Sequence, residues 1–209
     1  MKKQCPLCQT QANEFFKDTQ TYYKCSSCYG IFVDKDDLVD KQSEKERYEL
    51  HSDDVGDEGY KKFVSPITSS IMNDYKASDV GLDFGAGTST IIASVLNEYD
   101  YDIKNYDPFF HDFHELLEKK YDYISSCEVI EHFYNPHKEF KLLKSMLKKD
   151  SKMYLMTGIY NQSIDFSSWY YKNDPTHVFF YSKETFGWIK KEFGFTSLKV
   201  EKKLVVFTY

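Results

Sequence analysis

The stretch "GLDFGAGTST", residues 81–90, decides how the rest of the chain is read. The residues that lead into it, "DVGLDF", form a short apolar run of strand type. Those that follow, "STIIASVLNEY", have helical periodicity, with Thr88 or Ser89 as the expected N-cap. Gly85 and Gly87 stand between the two, where a strand must turn sharply into a helix. The same alternation continues outward. "YKKFVSPITSSIMNDY" reads as a helix before the stretch. "YDIKNYD" and "YDYISSCEVI" read as strands after it. "NPHKEFKLLKSMLKK" reads as a helix capped by Asn135, with Pro136 in its first turn and Phe140, Leu143 and Leu147 on one face. "SKMYLMTGI" is a strand, "KETFGWIKKEFG" a helix that ends at Gly194, and "FTSLKVEKKLVVFTY" two closing strands. Strands alternating with helices predict an α/β fold with a mainly parallel sheet covered on both faces, and the closing pair predicts an antiparallel C-terminal hairpin.

The 209 residues suffice for one full-sized domain and a small module. A hydrophobic content of 41% with a net charge of −6 describes a globular protein and argues against non-specific nucleic-acid binding, which needs a basic surface. No run approaches the roughly 18 apolar residues of a membrane span. No apolar segment follows Lys2 and Lys3, so no signal peptide is expected and the expected location is cytoplasmic.

Residues 1–33 carry "CPLC" at Cys5 and Cys8 and "CSSC" at Cys25 and Cys28, with sixteen residues between the pairs. In a reducing compartment paired cysteines are metal ligands more often than disulfides. Four thiolates close a tetrahedral Zn²⁺ shell and leave no open position, so the expected zinc is structural. With short strands around "EFF" and "TYYKC", this is a four-cysteine zinc ribbon, whose folding energy comes largely from the metal. Residues 34–60 hold eleven Asp or Glu against four Lys or Arg and read as an acidic connector. Tyr48 and Tyr60 suggest that it folds back, with Tyr48 and His51 as a lid. Residues 61–209 are the α/β domain.

In such folds ligands bind at the carboxyl ends of the strands, where the strand order reverses. Gly85 and Gly87 follow the first strand, and Asp107 ends the second, twenty residues beyond Gly87. An acid at that tip accepts the hydroxyls of a ribose. A dinucleotide fingerprint would need glycine at 90, where the chain has Thr90, and Asp83 would repel a pyrophosphate. A nucleoside carrying a sulfonium and an ammonium suits both features, which points to S-adenosylmethionine.

"LDFGAGTST" resembles motif I of the class I S-adenosylmethionine-dependent methyltransferases, a Rossmann-like family. "YDPFF" and "YDYISSCEVIEHFYNP" resemble its second- and fourth-strand motifs. "WYYKNDPTHVFFYS" is similar to a segment found where this domain is joined to an N-terminal zinc ribbon. The resemblance implies that Asp83, Gly85, Ala86 and Gly87 line the methionyl portion, that Asp107 binds the ribose, and that Cys127 and Glu128 lie beside the cofactor. The chain departs from the pattern at Ser89, which replaces a third glycine, and between Asp107 and Tyr121. Only thirteen residues lie there, so the third strand is shortened or missing. Phe109 and Phe110 then become candidates to cover adenine.

Methyl transfer is an in-line displacement that needs a base only if the acceptor carries a proton. His177 in "DPTHVFF" and His132 in "EVIEH" are the candidate catalytic residues, each with the alternative of a purely structural hydrogen bond. If "EVIEH" is helical, Glu128, Glu131 and His132 share a face and could hold Mg²⁺, although packing is the commoner use of these residues. Cys127 reads as a packed side chain. Phe166, Trp169, Tyr170 and Tyr171 in "FSSWYYKND" read as helically spaced aromatics, which are more often core than pocket, yet the stretch interrupts the α/β rhythm and is expected to wall an acceptor pocket. The expected partner is a small-molecule acceptor, with protein docking through the ribbon as a further use. Two other classes stay open at this level: an interaction module that binds the cofactor without catalysis, and a nicotinamide oxidoreductase.

Overall fold

The computed structural model describes residues 2–49 and 57–209. His51, assigned to a lid by sequence, lies outside the described residues. The main sheet has six strands in the order β11-β12-β8-β7-β5-β6. These are β5 (Val80–Phe84), β6 (Asp102–Tyr106), β7 (Tyr121–Cys127), β8 (Leu147–Met156), β11 (Ser197–Glu201) and β12 (Leu204–Thr208). The pairs β5–β6, β5–β7 and β7–β8 are parallel, and the hairpin β11–β12 joins antiparallel along β8. The chain leaves β5 and crosses to β6 on one side and to β7 on the other. The crevice between their carboxyl ends is therefore the switch point.

Strand alternation builds two cores. Ile124, Met153, Leu155, Val205 and Phe207 face one side of the sheet, where α4 (Pro136–Ser145) and α5 (Lys183–Phe193) contribute Phe140, Leu143, Phe186 and Ile189. Tyr123, Tyr154 and Met156 face the other side. There they meet Val64, Ile67 and Ile71 of α2 (Glu58–Asp74) and Ile91, Ile92 and Leu96 of α3 (Ile91–Asn97). Asn135 caps α4 by accepting from the Lys138 amide, as its position predicts. Ser182 caps α5, which ends at left-handed Gly194.

Three local expectations are corrected. Neither Thr88 nor Ser89 caps α3. The helix begins after Thr90, a left-handed residue (φ 45°) with no side-chain cap bond, because the glycine turn uses the preceding residues. Leu147 does not continue α4. That helix stops at Ser145, and Leu147 opens β8, where it pairs with Tyr121. The aromatic segment after β8 forms two short 3₁₀ turns, Phe166–Ser168 and Tyr170–Asn173, in place of helical spacing. Between Asp107 and Tyr121 a 3₁₀ turn, His114–Glu118, stands where a third strand would be.

The second sheet runs β1-β2-β3-β4-β10-β9. Its first four strands are β1 (Lys2–Gln4), β2 (Gln11–Lys17), β3 (Thr21–Lys24) and β4 (Ile31–Val33). The other two are β9 (Ile159–Tyr160) and β10 (Phe179–Ser182), both from the α/β region. Phe32 pairs with Phe179 and Ile31 with Phe180, so the cysteine-bearing segment is zipped by main-chain bonds to the chain leading into α5. Phe166 sits between the two, its ring 5.0 Å from Tyr22, 5.7 Å from Phe16 and 5.6 Å from Phe180. The acidic connector forms α1 (Lys41–Glu49), capped by Asp40, and it lies back on the body. Arg47 donates from Nε and Nη2 to Asp174, and the Tyr134 hydroxyl donates to the Val39 carbonyl. Among the described residues no helix is long and apolar enough to cross a membrane.

Candidate functional site

At the β5 tip the chain turns through Gly85 (φ 78°) and Gly87 (φ 63°), both in the left-handed region. A Cβ on Gly85 would lie 2.5 Å from Val129, so no larger residue fits there. A Cβ on Gly87 would meet nothing within 4 Å, so this backbone borders open space. The amides of Gly85 and Ala86 donate to the Tyr106 carbonyl, tying the turn to β6. The Gly87 amide donates to Asp107 Oδ2 at 3.1 Å. Asp107 Oδ1 accepts from the amides of Phe109 (2.8 Å) and Phe110 (3.2 Å). Three backbone donors thus fix the carboxylate at the rim of the open space over Gly87, with acceptor capacity left on Oδ2. Phe109 is half-buried, and its ring lies 5.7 Å from Tyr48 of α1.

Asp83 lies beneath this turn, 3% exposed, and accepts from the Ser125 hydroxyl at 2.8 Å. Burial pushes its carboxyl up to about 7, and the nearby Asp107 acts in the same direction. Such a group welcomes an added positive charge. Cys127, at the end of β7, is driven well above its ordinary range by burial and by Glu128, Glu131 and Asp83. It is therefore held as a thiol and not as a nucleophile.

Beyond β7 the structure corrects the shared helix face. Glu128 is left-handed (φ 51°), and only Ile130–His132 make a 3₁₀ turn, so Glu128 leaves the face expected to join it to Glu131 and His132. Its carboxylate accepts from the Tyr171 hydroxyl at 3.1 Å and pairs with Lys203 at 3.6 Å. Burial and the neighbouring Glu131 push it up to about 7. In place of Glu128, His177 joins Glu131 and His132. One carboxylate oxygen and one ring nitrogen from each imidazole lie within 4.8 Å of one another. Glu131 is fully buried and accepts from the hydroxyls of Thr157 (3.0 Å) and Tyr171. Burial raises it, and the charge of His177 opposes the shift. His177 Nδ1 bonds the Tyr171 carbonyl at 2.6 Å, and His132 Nδ1 bonds the Thr176 carbonyl at 2.9 Å. Burial lowers His177 below its ordinary value, which favours the neutral ring. Asp174, which begins this loop, is held at about 2: burial is outweighed by the Thr176 hydroxyl and amide and by Arg47.

The sequence singles out His132 and His177 and places Tyr171 in the aromatic stretch expected at the acceptor pocket, but it gives no hint of Ser125 or Lys203 as supports of the site. Thr157 alone has a signal, as the first polar residue past the apolar strand "MYLM". Trp169 packs on Tyr160, Phe166, Phe180 and Tyr171, and of these it is Tyr171 whose hydroxyl reaches the carboxylates. Tyr170 is exposed.

In the ribbon the sulfurs of Cys5 and Cys28 are 3.6 Å apart and those of Cys8 and Cys25 are 3.3 Å apart, with all four within 4.8 Å. Tetrahedral Zn²⁺ with bonds of about 2.3 Å separates its sulfurs by about 3.8 Å. The Ser27 amide approaches the Cys25 sulfur at 3.4 Å, as thiolate ligands require. The donor set fits a closed structural zinc.

A family profile described as a methyltransferase domain matches residues 57–200, and one described as a transcription factor zinc-finger matches residues 4–41. Among solved structures the chain is similar to a SAM-dependent methyltransferase from Archaeoglobus fulgidus. They are 22% identical with a TM-score of 0.54, over 68% of this chain and 72% of that one. It is also similar to an O-methyltransferase family protein from Burkholderia thailandensis, at 9% identity and a TM-score of 0.52, over 71% and 56% of the two chains. Mitomycin 7-O-methyltransferase gives 12% and 0.50, over 70% and 53%. The chain spans little more than half the length of these last two, and at such identities the likeness is one of fold. No curated protein matches the chain.

Proposed function

The chain belongs to the methyltransferase-domain family, and from that premise we propose that it transfers a methyl group from S-adenosylmethionine to a small-molecule acceptor. The observation that carries this reading is the open space over Gly87, rimmed by a backbone-fixed Asp107 and underlain by the buried Asp83. Asp107 Oδ2 accepts a ribose hydroxyl, Gly85, Ala86 and Gly87 admit the methionyl chain, and Asp83 balances its cationic end. Phe109 and Phe110 flank adenine, and Cys127 and Glu128 line the far wall. A pyrophosphate gains nothing from Asp83, which sets the nicotinamide alternative aside.

The acceptor lies on the side of His132 and His177, which act on its proton-bearing atom. A hydroxyl acceptor suits this cluster of polar, proton-accepting side chains. Two cysteine pairs aimed at one point as metal ligands suit a reducing compartment, which supports work in the cytoplasm. Calorimetry of the zinc-loaded protein with S-adenosylhomocysteine and with NAD tests the reading. Binding of the first and not the second is expected, and Asp107→Ala should weaken it at least about tenfold, the scale of one charge-assisted hydrogen bond. No affinity for S-adenosylhomocysteine would end it.

A further inference from the structure

We infer that Glu131, His132 and His177 form a second metal site, distinct from the ribbon, for a divalent transition ion at the acceptor end of the cleft. The three donors come from two separated segments, the turn after β7 and the loop before β10. A main-chain bond from the Val178 amide to the Glu131 carbonyl, 2.9 Å long, holds those segments together. One potential ligand atom from each lies within 4.8 Å of the other two. Ligands about 2.1 Å from one ion lie about 3.0–3.4 Å apart, so small side-chain movements close the set.

Two further observations point to a cation. Each Nδ1 faces a backbone carbonyl, which can only accept, so each Nδ1 carries the proton and each Nε2 carries the ring's lone pair. Histidine ligands are oriented in just this way. The Glu131 carboxylate is fully buried and steered by two hydroxyls, and among the described residues no lysine or arginine pairs with it. A buried carboxylate grouped within 4.8 Å of a nitrogen from each of two imidazoles is a donor set that a positive ion completes. Two nitrogens and one oxygen favour Zn²⁺, Mn²⁺ or Fe²⁺ over Mg²⁺, which prefers an all-oxygen shell. Three protein ligands leave positions open for an acceptor oxygen.

The catalytic use of this site rests on the methyl-transfer reading, although the site itself does not. With the ion bound, the two histidines act on the acceptor by holding that ion and not as bases: the acceptor hydroxyl bound to it is made acidic and loses its proton to water. Its oxygen then forms the bond to the methyl carbon as the carbon–sulfur bond breaks, and that electron pair returns to sulfur.

Co²⁺ titrated into the zinc-loaded full chain, followed by visible absorption, tests the site. The expected result is a saturating d–d band at one equivalent, without the thiolate charge-transfer band of a cobalt-substituted ribbon. His132→Ala and His177→Ala should abolish it while keeping affinity for S-adenosylhomocysteine. Tyr171→Phe, which keeps every ligand, should weaken Co²⁺ by about tenfold to a hundredfold, the usual cost of losing an outer-shell partner. No saturating band in the wild type, or an unchanged band in both histidine variants, overturns the proposal. Co²⁺ binding without any affinity for S-adenosylhomocysteine keeps the site and removes the methyl-transfer reading.

Discussion

Asp83 shows how one residue sets stability against ligand binding. Its folded-state pKa of about 7 lies above its ordinary 3.8, so the folded state holds this proton more tightly than the unfolded chain does. Below about pH 4 the group costs nothing. Between about pH 4 and pH 7 the unfolded chain releases this proton while the folded state keeps it, so stability falls by on the order of 4 kcal/mol, and above about pH 7, where both states are ionised, it falls no further. Asp83→Asn keeps an acceptor for Ser125 and removes the charge. Urea unfolding should therefore show the variant equal to wild type near pH 4 and more stable by a few kcal/mol at pH 8. Affinity for S-adenosylmethionine should move the other way. A cationic ligand stabilises the ionised form, so wild-type affinity rises with pH up to about 7 and levels off, whereas the variant binds weakly at every pH. Calorimetry across pH 5.5–8.5 reads both the trend and the proton released on binding. A flat profile in the wild type would remove Asp83 from the cofactor site.

At the scale of elements, β10 carries the most consequence for its four residues. Its main chain pairs with β4 of the ribbon, and the residues just before it carry His177. Phe166 locks the same junction from the side. Phe166→Ala removes a buried ring with aromatic neighbours on both halves and should cost about 3–5 kcal/mol in urea unfolding. Tyr170→Ala, at an exposed position in the next turn, should cost under about 0.5 kcal/mol. Equal effects would mean that the junction contributes nothing to stability. The sequence carries no trace of this junction, because strand pairing between residues near 32 and 179 leaves no local periodicity. The β5 turn is different: its glycines, acid and flanking apolar runs are adjacent in sequence, so both fold and cofactor cradle are legible there. The Asn135 cap and the cysteine spacing are legible for the same reason. The Glu131–His132–His177 cluster is half legible. Its histidines stand out, but the left-handed turn at Glu128 that exchanges one carboxylate for His177 depends on packing across two segments. The start of α3 escapes the sequence because Thr90 adopts a conformation that its side chain does not announce.

For the whole molecule, the zinc ribbon becomes part of the machinery through geometry and not through its own chemistry. Four sulfurs hold the knuckles that present β3 and β4, and β4 holds β10. The Val33 amide donates to the Val178 carbonyl at 3.0 Å, one residue from His177. On the other flank the Lys172 ammonium pairs with Asp18, and the Tyr22 hydroxyl donates to the Lys172 carbonyl at 3.5 Å. The loop bearing His177 is therefore gripped by the ribbon at both ends, while the cofactor turn at β5 rests on β6 and the main sheet. Removing zinc should act unequally on these two regions. After chelation, hydrogen exchange should quicken at 178–180 and throughout 2–33 while the β5 and β7 amides stay protected, because the ribbon's folding energy comes from its metal. Methyl transfer should then fall by at least about tenfold, on the scale of a misplaced catalytic group, with affinity for S-adenosylhomocysteine little changed. Restoring Zn²⁺ should recover activity, whereas Cys25→Ser should reproduce the chelated state without recovery. If exchange quickened equally in both regions, the ribbon would be supporting the whole fold. If neither activity nor exchange at 178–180 changed, the β4–β10 pairing would be independent of the metal, and the ribbon's four cysteines would need another purpose.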